Sequence, residues 1–595
     1  MWYNSIYRRT ETEVGMNLNI SKQKSGRTYL SIAKTYRDRE TKKNRSRVIR
    51  SIGYLDELEK EYADPIAHFR EVARRMTEEE NAAKSVTLSI SMDEELPKDT
   101  DGRKNFGYAA IMKIYHELFL HEHFAAKSRY QKFEYNTNSI MLLLVISRIL
   151  SPGSKKKAFE EKGRYFERFN FKLADVYRSL SHFAKIGDET QKFLHGQIAK
   201  KYGRDTSVVY FDVTNFYFEI DEQDDLRKRG VNKEHRPNPI VQMGLALDRD
   251  GIPIRYKIFP GNKHDSETFR DVVGEICKNY DAGRIVAVGD MGVITSENIW
   301  YLIGGKPHKP RHGYVFSYSV RKAAKKFKEY VLDDEGYMNR DGGPWEDGDD
   351  YKVKSRHMAR EIEITIIRGG KETNVKEIVQ EKQVVFWNKK YADKAKAERN
   401  AMLAKALRFI KDPTKYKRHT GHGSAKYING IDKDTGEVNP STLLSINWGL
   451  VSEEEKYDGY YAILTSELMM PADAVIETYR GLWEIEETFR VTKGDIEARP
   501  IYVSRSDRID AHLLICFIAL IIIRILQKKT GHVYSAEKII NALNSISCTH
   551  EQENIYLFGC RSVISDTLGK AVGVDFTKKR KRLGDMKKIL GAVKK

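Results

Sequence analysis

Three of the chain's 84 acids stand out because of what surrounds them. Asp212 closes the apolar run SVVYFD (207–212), and Asp290 closes RIVAVGD (284–290). A charge at the end of a buried strand is costly unless something compensates it. A divalent cation would do so. Two carboxylates side by side at the top of a sheet suit hard Mg2+, which keeps several waters and takes few protein ligands. The alternative is that each aspartate caps the turn after its strand. The third acid, Glu486, lies in ETYRGLWEIEETFRVTKGD (477–495), where Tyr479, Glu486 and Lys493 recur every seven residues. Seven residues are almost two helical turns, so the three share one stripe, with Trp483 and Arg490 beside it. A core-facing stripe would be apolar, and a solvated one would seldom hold both Trp and Tyr. An acid among phosphate-binding groups suits a site that holds a metal against a phosphate backbone.

Such a site needs a sheet and a facing helix. SVVYFD reads as a strand of buried type, and TNFYFEI (214–220) as a second strand. VQMGLALD (241–248), the turn Arg249-Asp250-Gly251 and IPIRYKIF (252–259) read as a hairpin. SETFRDVVGEICKNY (266–280) reads as a helix capped by Ser266 or Asp265, and RIVAVGD as a further buried strand. Strand, strand, strand, helix, strand, with acids at two strand ends, matches a ribonuclease H-like core. GYVFSYSV (313–320) adds a strand. After it the pattern breaks. Strand-like KEYVLDD, YKVKSR, IEITIIR and KQVVFWN, a helix over 390–411 and the polar RHTGHGSAKYINGIDKDTGE predict a β-rich insertion domain. The α/β pattern resumes with DGYYAILTSE (458–467) and one long helix from Pro471 to Lys493.

Upstream, residues 22–50 alternate apolar and polar on both sides of RDRETKKN, which predicts a β-hairpin. Eleven of these 29 residues are Lys or Arg against two acids, so the hairpin is either a solvated face or a grip on a nucleic-acid backbone. Residues 55–84 read as helical. From Phe106 to Gly203 apolar residues three and four apart predict further helices, one of them ended by Pro152 and Gly153. His121, Glu122 and His123 are consecutive on a helix and point in different directions, so they read as surface side chains rather than metal ligands. The expected organisation is a multidomain α/β chain. A basic β-hairpin plus helix spans 1–100 and a helical domain 101–205. The catalytic core comes in two parts, 206–320 and 458–535, interrupted by the insertion domain (321–457), and a C-terminal region with a basic tail covers 536–595.

Composition narrows the partners. At 595 residues the chain exceeds what one core supports. Lys and Arg number 103, which leaves a net charge of +19 and favours polyanions through counterion release. Cys277, Cys516, Cys548 and Cys560 show neither zinc-site spacing nor a disulfide framework, as expected of a reducing compartment. The first residues lack an apolar signal core. HLLICFIALIII (512–523), followed at once by Arg524, is too short to span a bilayer and reads as part of a buried core helix.

YFDVTNFYFE (210–219), VAVGDMGVITSENI (286–299) and YRGLWEIEETFRVTKGDIEARPIY (479–502) resemble the DDE transposases of prokaryotic insertion sequences. The resemblance is closest to the group with a β-strand insertion domain and a Tyr–Arg–Glu–Lys signature. It covers roughly 205–320 and 458–525, and reaches the N-terminal region more loosely. Asp212 and Asp290 lie 78 residues apart and Glu486 follows 196 later, which leaves room for the insertion. One position departs from the pattern: the family's arginine falls at 482, which is Leu here. Arg490 is the better substitute, because Arg480 lies off the stripe.

The resemblance implies an enzyme that binds transposon ends, cleaves phosphodiester bonds and joins the freed 3′ ends to target DNA. Asp212, Asp290 and Glu486 would hold two Mg2+ (or Mn2+) ions that activate a water and stabilise the leaving oxygen. Tyr479 and Lys493 would bind phosphates near the scissile bond, and an unstacked base would rest on Trp483, Tyr461 or Trp448. Thr214 is a weaker candidate. The implied partners are double-stranded DNA and a second copy of the chain, with no membrane, in a prokaryotic cytoplasm at the nucleoid. Two other readings stay open: a DNA-binding transposase derivative without catalysis, and a ribonuclease H-like nuclease that cuts without joining.

Overall fold

Alternating side chains around the basic run build a three-stranded antiparallel sheet, β1 (Met16–Lys22), β2 (Thr28–Arg37) and β3 (Asn44–Tyr54), in that order. The computed structural model describes residues 16–23, 25–37, 44–84, 102–220, 222–230, 238–305, 311–368, 371–412, 423–430, 443–552 and 554–595. The expected hairpin is β2–β3, and most of its RDRETKKN turn lies outside the described residues. Strand β1 precedes the basic run and was not predicted. The helix Pro65–Lys84 packs on β1, where the Met16 amide donates to Thr77 Oγ1 at 3.0 Å. Leu30, Ile32, Phe69 and Ala73 are buried there, while Arg47 and Arg50 on β3 stay exposed. These elements belong to one compact unit, Met1–Thr100.

The second unit, Asp101–Lys595, is mixed α/β. After a short strand β4 (Arg103–Asn105) come the expected helices, from Tyr108 to Tyr202. Then follow β5 (Val208–Tyr217), β6 (Ile240–Leu247), β7 (Pro253–Pro260), β8 (Val286–Gly289), β9 (Gly313–Tyr318), β10 (Tyr351–Arg368) and β11 (Lys371–Asn388). Strands β12 (Ile428–Asn429) and β13 (Ser445–Ile446) form a small ribbon, and β14 (Tyr460–Thr465) returns to the main sheet. That sheet has eight strands in the order β10-β11-β14-β9-β8-β5-β6-β7. Among the described residues only β5–β8 and β8–β9 pair in parallel.

Several expectations need correction. SVVYFD and TNFYFEI are one strand: β5 runs on through Asp212, because Val213 and Phe216 are as buried as the residues before the acid. KEYVLDD is the end of a helix, Lys325–Leu332, which buries Phe327 and Val331, four residues apart, on one face. YKVKSR and IEITIIR merge into β10. The segment expected as an insertion domain supplies the outer two strands of the main sheet, since β11 pairs with β14 over Lys382–Trp387. The predicted helix from Pro471 to Lys493 is two helices, Ala472–Arg480 and Trp483–Lys493. The basic tail is folded: β15 (Ser547–His550), β16 (Ile555–Phe558) and β17 (Arg580–Arg582) join β4 in the order β17-β16-β15-β4, and the helix Leu583–Val593 follows.

Both faces of the main sheet are covered. Val209, Phe211 and Val213 of β5 pack with Phe269, Val272 and Ile299 from the helices Asp265–Asn279 and Ser296–Ile303. Val208, Tyr210 and Phe216 belong to the larger core with Ile485, Phe489 and the helix Ser506–Lys529. That 24-residue helix is long and apolar enough to cross a membrane by length and composition alone, yet 94% of its most apolar window is buried inside the protein. It packs on the helix Leu173–Lys185 and on Thr137–Leu150, and so ties the helical region to the sheet. His123 is not a surface residue as expected. Its Nε2 pairs with Thr190 Oγ1 at 2.9 Å and its ring stacks on Phe193.

Candidate functional site

Parallel pairing brings the two aspartates together. Val208–Phe211 of β5 lie opposite Val286–Gly289 of β8, which lie opposite Gly313–Phe316 of β9. The next residues along the three strands are Asp212, Asp290 and Ser317. They stand level on neighbouring strands, about 5 Å apart in the pairing direction. Ser317 Oγ donates to Asp290 Oδ1 at 3.2 Å. The same oxygen accepts the Met291 amide, which caps the short turn Met291–Val293. Asp212 is half-buried, and its Oδ1 accepts its neighbour Val213's amide at 2.7 Å. Asp290 is exposed.

The facing helix is aligned with β5. Along a strand alternate residues share a face, so Asp212 and Thr214 face the same way as Tyr210 and Phe216. A Cβ at Gly481 would lie 2.0 Å from the Tyr210 hydroxyl, and Lys493 Nζ sits 5.8 Å from the Phe216 ring centre. These two contacts fix the ends of the overlap. Six strand residues from Tyr210 to Phe216 span about 20 Å, and twelve helical residues from Gly481 to Lys493 about 18 Å. Glu486 lies between these two contacts, on the helix that packs along the Asp212 face of β5. Glu486 itself is exposed at the rim.

The turn between the two helices falls at position 482, where the resembled signature carries arginine. Gly481 and Leu482 keep helical dihedrals, but Leu482, Glu484 and Ile485 donate three residues back instead of four, which tightens the turn. Leu482 is 8% exposed and packs in the core, so this position cannot meet a phosphate. Arg490 pairs with Glu487 at 3.5 Å, and Arg480 with Glu477. Both guanidinium groups stay exposed.

Tyr479, at the end of the first helix, joins the acids. Burial pushes its phenol above the usual range, the Ser317 hydrogen bond opposes this, and the charges of Asp290 and Glu486 add to it. With Asp290, Ser317, Arg321, Tyr391 and Tyr461 it lines a cleft of about 280 Å³. Tyr461 is 47% exposed, stacked on Phe386 at 5.5 Å and met edge-on by Tyr391 at 5.2 Å. Trp483 is exposed at the start of its helix and Trp448 at the start of Trp448–Glu455; neither lines this cleft. Thr214 is 7% exposed. Sequence reasoning missed Ser317, Arg321 and Tyr391. Ser317 was within reach, as the first polar residue after the apolar run of GYVF.

Polar anchors hold the helix from behind. The buried Arg524 donates to the Glu487 carboxylate, to Thr488 Oγ1 and to Gln527 Oε1 (2.9 Å). Beyond Lys493, Arg148 donates to the Glu497 carbonyl at 2.9 Å, and His512 Nε2 to that of Ala498 at 2.8 Å. Buried Lys155 donates to His512 Nδ1, and burial lowers its amine to about 7, helped by the Arg148 charge.

The donor set is right in kind for a hard divalent cation, being oxygen-only with two neighbouring aspartates. Among the described residues, however, no three His, Cys, Asp or Glu side chains are gathered around one point that could hold an ion.

Comparison with known proteins places the N-terminal unit. Residues 18–86 match the family model of the IS1634 family transposase N-terminal domain, so over this segment the chain is similar to insertion-sequence transposases. No curated protein matches the chain. Among solved structures it is similar to one described as a Mos1 transposase paired-end complex with left transposon end, at 11% identity and a TM-score of 0.12. That similarity covers 39% of this chain and 65% of the other, less than two thirds of its length.

Proposed function

We propose that the chain is a transposase that cleaves DNA at the ends of an insertion sequence and joins the freed 3′ ends to a target. The observation that carries this reading is the level placement of Asp212 and Asp290 on adjacent parallel strands, opposite the helix of Glu486. The match of residues 18–86 to a transposase N-terminal domain supports it. In this reading β5, β8 and β9 with their helices form a ribonuclease H-like core, and the chain works as a homodimer because two ends must be joined.

Asp212 and Asp290, with Glu486 as third donor, would hold Mg2+ or Mn2+, which supplies water activation and leaving-group stabilisation. The chain's own residues do the rest. The Tyr479 phenol, its ionisation suppressed, stays protonated at neutral pH and donates to a phosphate oxygen. Lys493 neutralises phosphate at the far end of the helix, and Arg490, Arg480 and Trp483 flank the path on exposed faces. The tyrosine-lined cleft beside Asp290 receives an unstacked base, with Tyr461 as its platform.

The test is cleavage of DNA carrying the ends of the element that encodes the chain, with Mg2+ or Mn2+, wild type against Glu486→Gln. Wild type should nick to leave a 3′-hydroxyl and join it to target, and the variant should be slower by about a thousandfold, the several kcal/mol that metal-held charge stabilisation supplies. Binding without cleavage by the wild type would favour the non-catalytic reading. Cleavage without joined product would favour a nuclease.

A further inference from the structure

The charged run near residue 580 is built into a fold, and this gives it a face. Nine of the eighteen residues 578–595 are Lys or Arg, against the single acid Asp585. Among the described residues strand β17 is the outer strand of its sheet and pairs only with β16. Arg580 and Arg582 are exposed while Lys581, between them, is buried with Asp575 at 3.6 Å. In the helix that follows, Met586, Leu590 and Val593 are buried. Lys587 and Lys588 fall on the opposite side with Gly584, Gly591 and Ala592, all exposed, and Asp585 is the single acid of the helix. Some of these cations are committed: Arg580 to Glu551 at 2.7 Å, Lys594 to Glu167 at 2.7 Å, and Lys588 to Asp585 at 3.9 Å. Lys578, Lys579, Arg582 and Lys587 make no salt bridge among the described residues.

We propose that residues 578–582 and the helix Leu583–Val593 form a DNA-backbone contact surface, built from residues other than those of the N-terminal unit and of the cleft beside Asp290. A solvated charge run has acids interleaved evenly with its bases, whereas this one carries the single acid Asp585 among nine cations. A folded edge that presents four exposed cations without salt bridges, on the segment before β17, on β17 and on the following helix, fits a polyanion, and duplex DNA has a rigid spacing of phosphates. Among the described residues of this surface no aromatic is exposed to stack on unpaired bases, which favours duplex over single strands. The proposal rests on the transposase reading for its choice of DNA, but its test needs no catalysis.

The full chain is titrated with duplex DNA in EDTA at several salt concentrations, wild type against a K578Q/K579Q/R582Q/K587Q variant. All four positions are on the surface, and an unchanged unfolding temperature would confirm that the variant is folded. Expected is binding weakened at least tenfold at moderate salt, with the slope of log affinity against log salt reduced by about 3.6, near 0.9 per lost phosphate contact. An unchanged slope and affinity would overturn the surface while leaving the transposase reading intact. Absence of duplex binding by the wild type would overturn both. Weakening confined to an RNA duplex would overturn the choice of DNA. If the variant fails to fold, R582Q/K587Q repeats the measurement, with a slope change of about 2 expected.

Discussion

The two walls of the candidate site are built by different physics. On the sheet side Asp212, Asp290 and Ser317 are level because three parallel strands share a backbone register, and no side chain has to put them there. On the helix side Glu486 depends on separate fittings. These are the Gly481–Tyr210 contact before it, the Arg524 clamp beside it, and the Arg148 and His512–Lys155 anchors after Lys493. Backbone register is distributed over many hydrogen bonds, whereas each anchor is one or two. The helix wall is therefore where single substitutions should shift the third acid without touching it.

The clamp should matter most. Arg524→Met leaves the Glu487 carboxylate, 18% exposed, without its strongest partner. Losing one member of a buried pair costs about 3–5 kcal/mol, and the access of Glu487 to water reduces this to about 2–3. Denaturant unfolding measures it. Adding Glu487→Met should recover most of the loss, since an apolar pair replaces the uncompensated charge. An unchanged midpoint in the single variant would mean that the clamp is not what seats the helix.

The turn comes next. Gly481→Ala places a methyl 2.0 Å from the Tyr210 hydroxyl, so strand and helix must separate. Overpacking of this kind costs about 1–2 kcal/mol. The displacement lies five residues before Glu486, so cleavage should fall by about tenfold or more, given how steeply rate depends on position. Loss of stability with full cleavage would show that the helix wall tolerates movement, and the contrast between the walls would fail.

The sheet wall was the more legible one in the sequence. Apolar runs ending in Asp identified β5 and β8 before any topology was known, because buried parallel strands carry their signal in composition. The helix wall was legible in its stripe but not in its break. Tyr479, Glu486 and Lys493 keep one spacing across Gly481 and Leu482, and nothing local marks the turn except a glycine whose necessity comes from Tyr210, some 270 residues earlier. For the same reason the outer strands read as a separate domain. Local periodicity finds β10 and β11, but their pairing with β14 is a long-range fact. Arg321 and Tyr391 in the cleft are ordinary residues until the sheet brings their segments together.

The smallest expected effect concerns the far anchor, and it has a sign. Lys155 is buried, and its amine is lowered from 10.5 to about 7, chiefly by burial. Between those values the unfolded chain binds a proton at this lysine that the folded chain does not, so more protons are bound in the unfolded state and stability must rise with pH. Below about 7 both states are charged, above 10.5 neither is, and the contribution is flat outside the window. Lys155→Met removes the titration and also leaves His512 Nδ1 without its donor, a constant loss of about 1–3 kcal/mol. The pH dependence separates the two effects. Between pH 8 and 9 the wild type should gain about 1 kcal/mol relative to the methionine variant, near the 1.36 kcal/mol that one unit of differential proton binding allows. If the two proteins keep a constant difference in unfolding free energy from pH 7.5 to 9.5, Lys155 is charged in the fold. The Lys155–His512–Ala498 chain would then not be a neutral relay holding the turn behind Lys493.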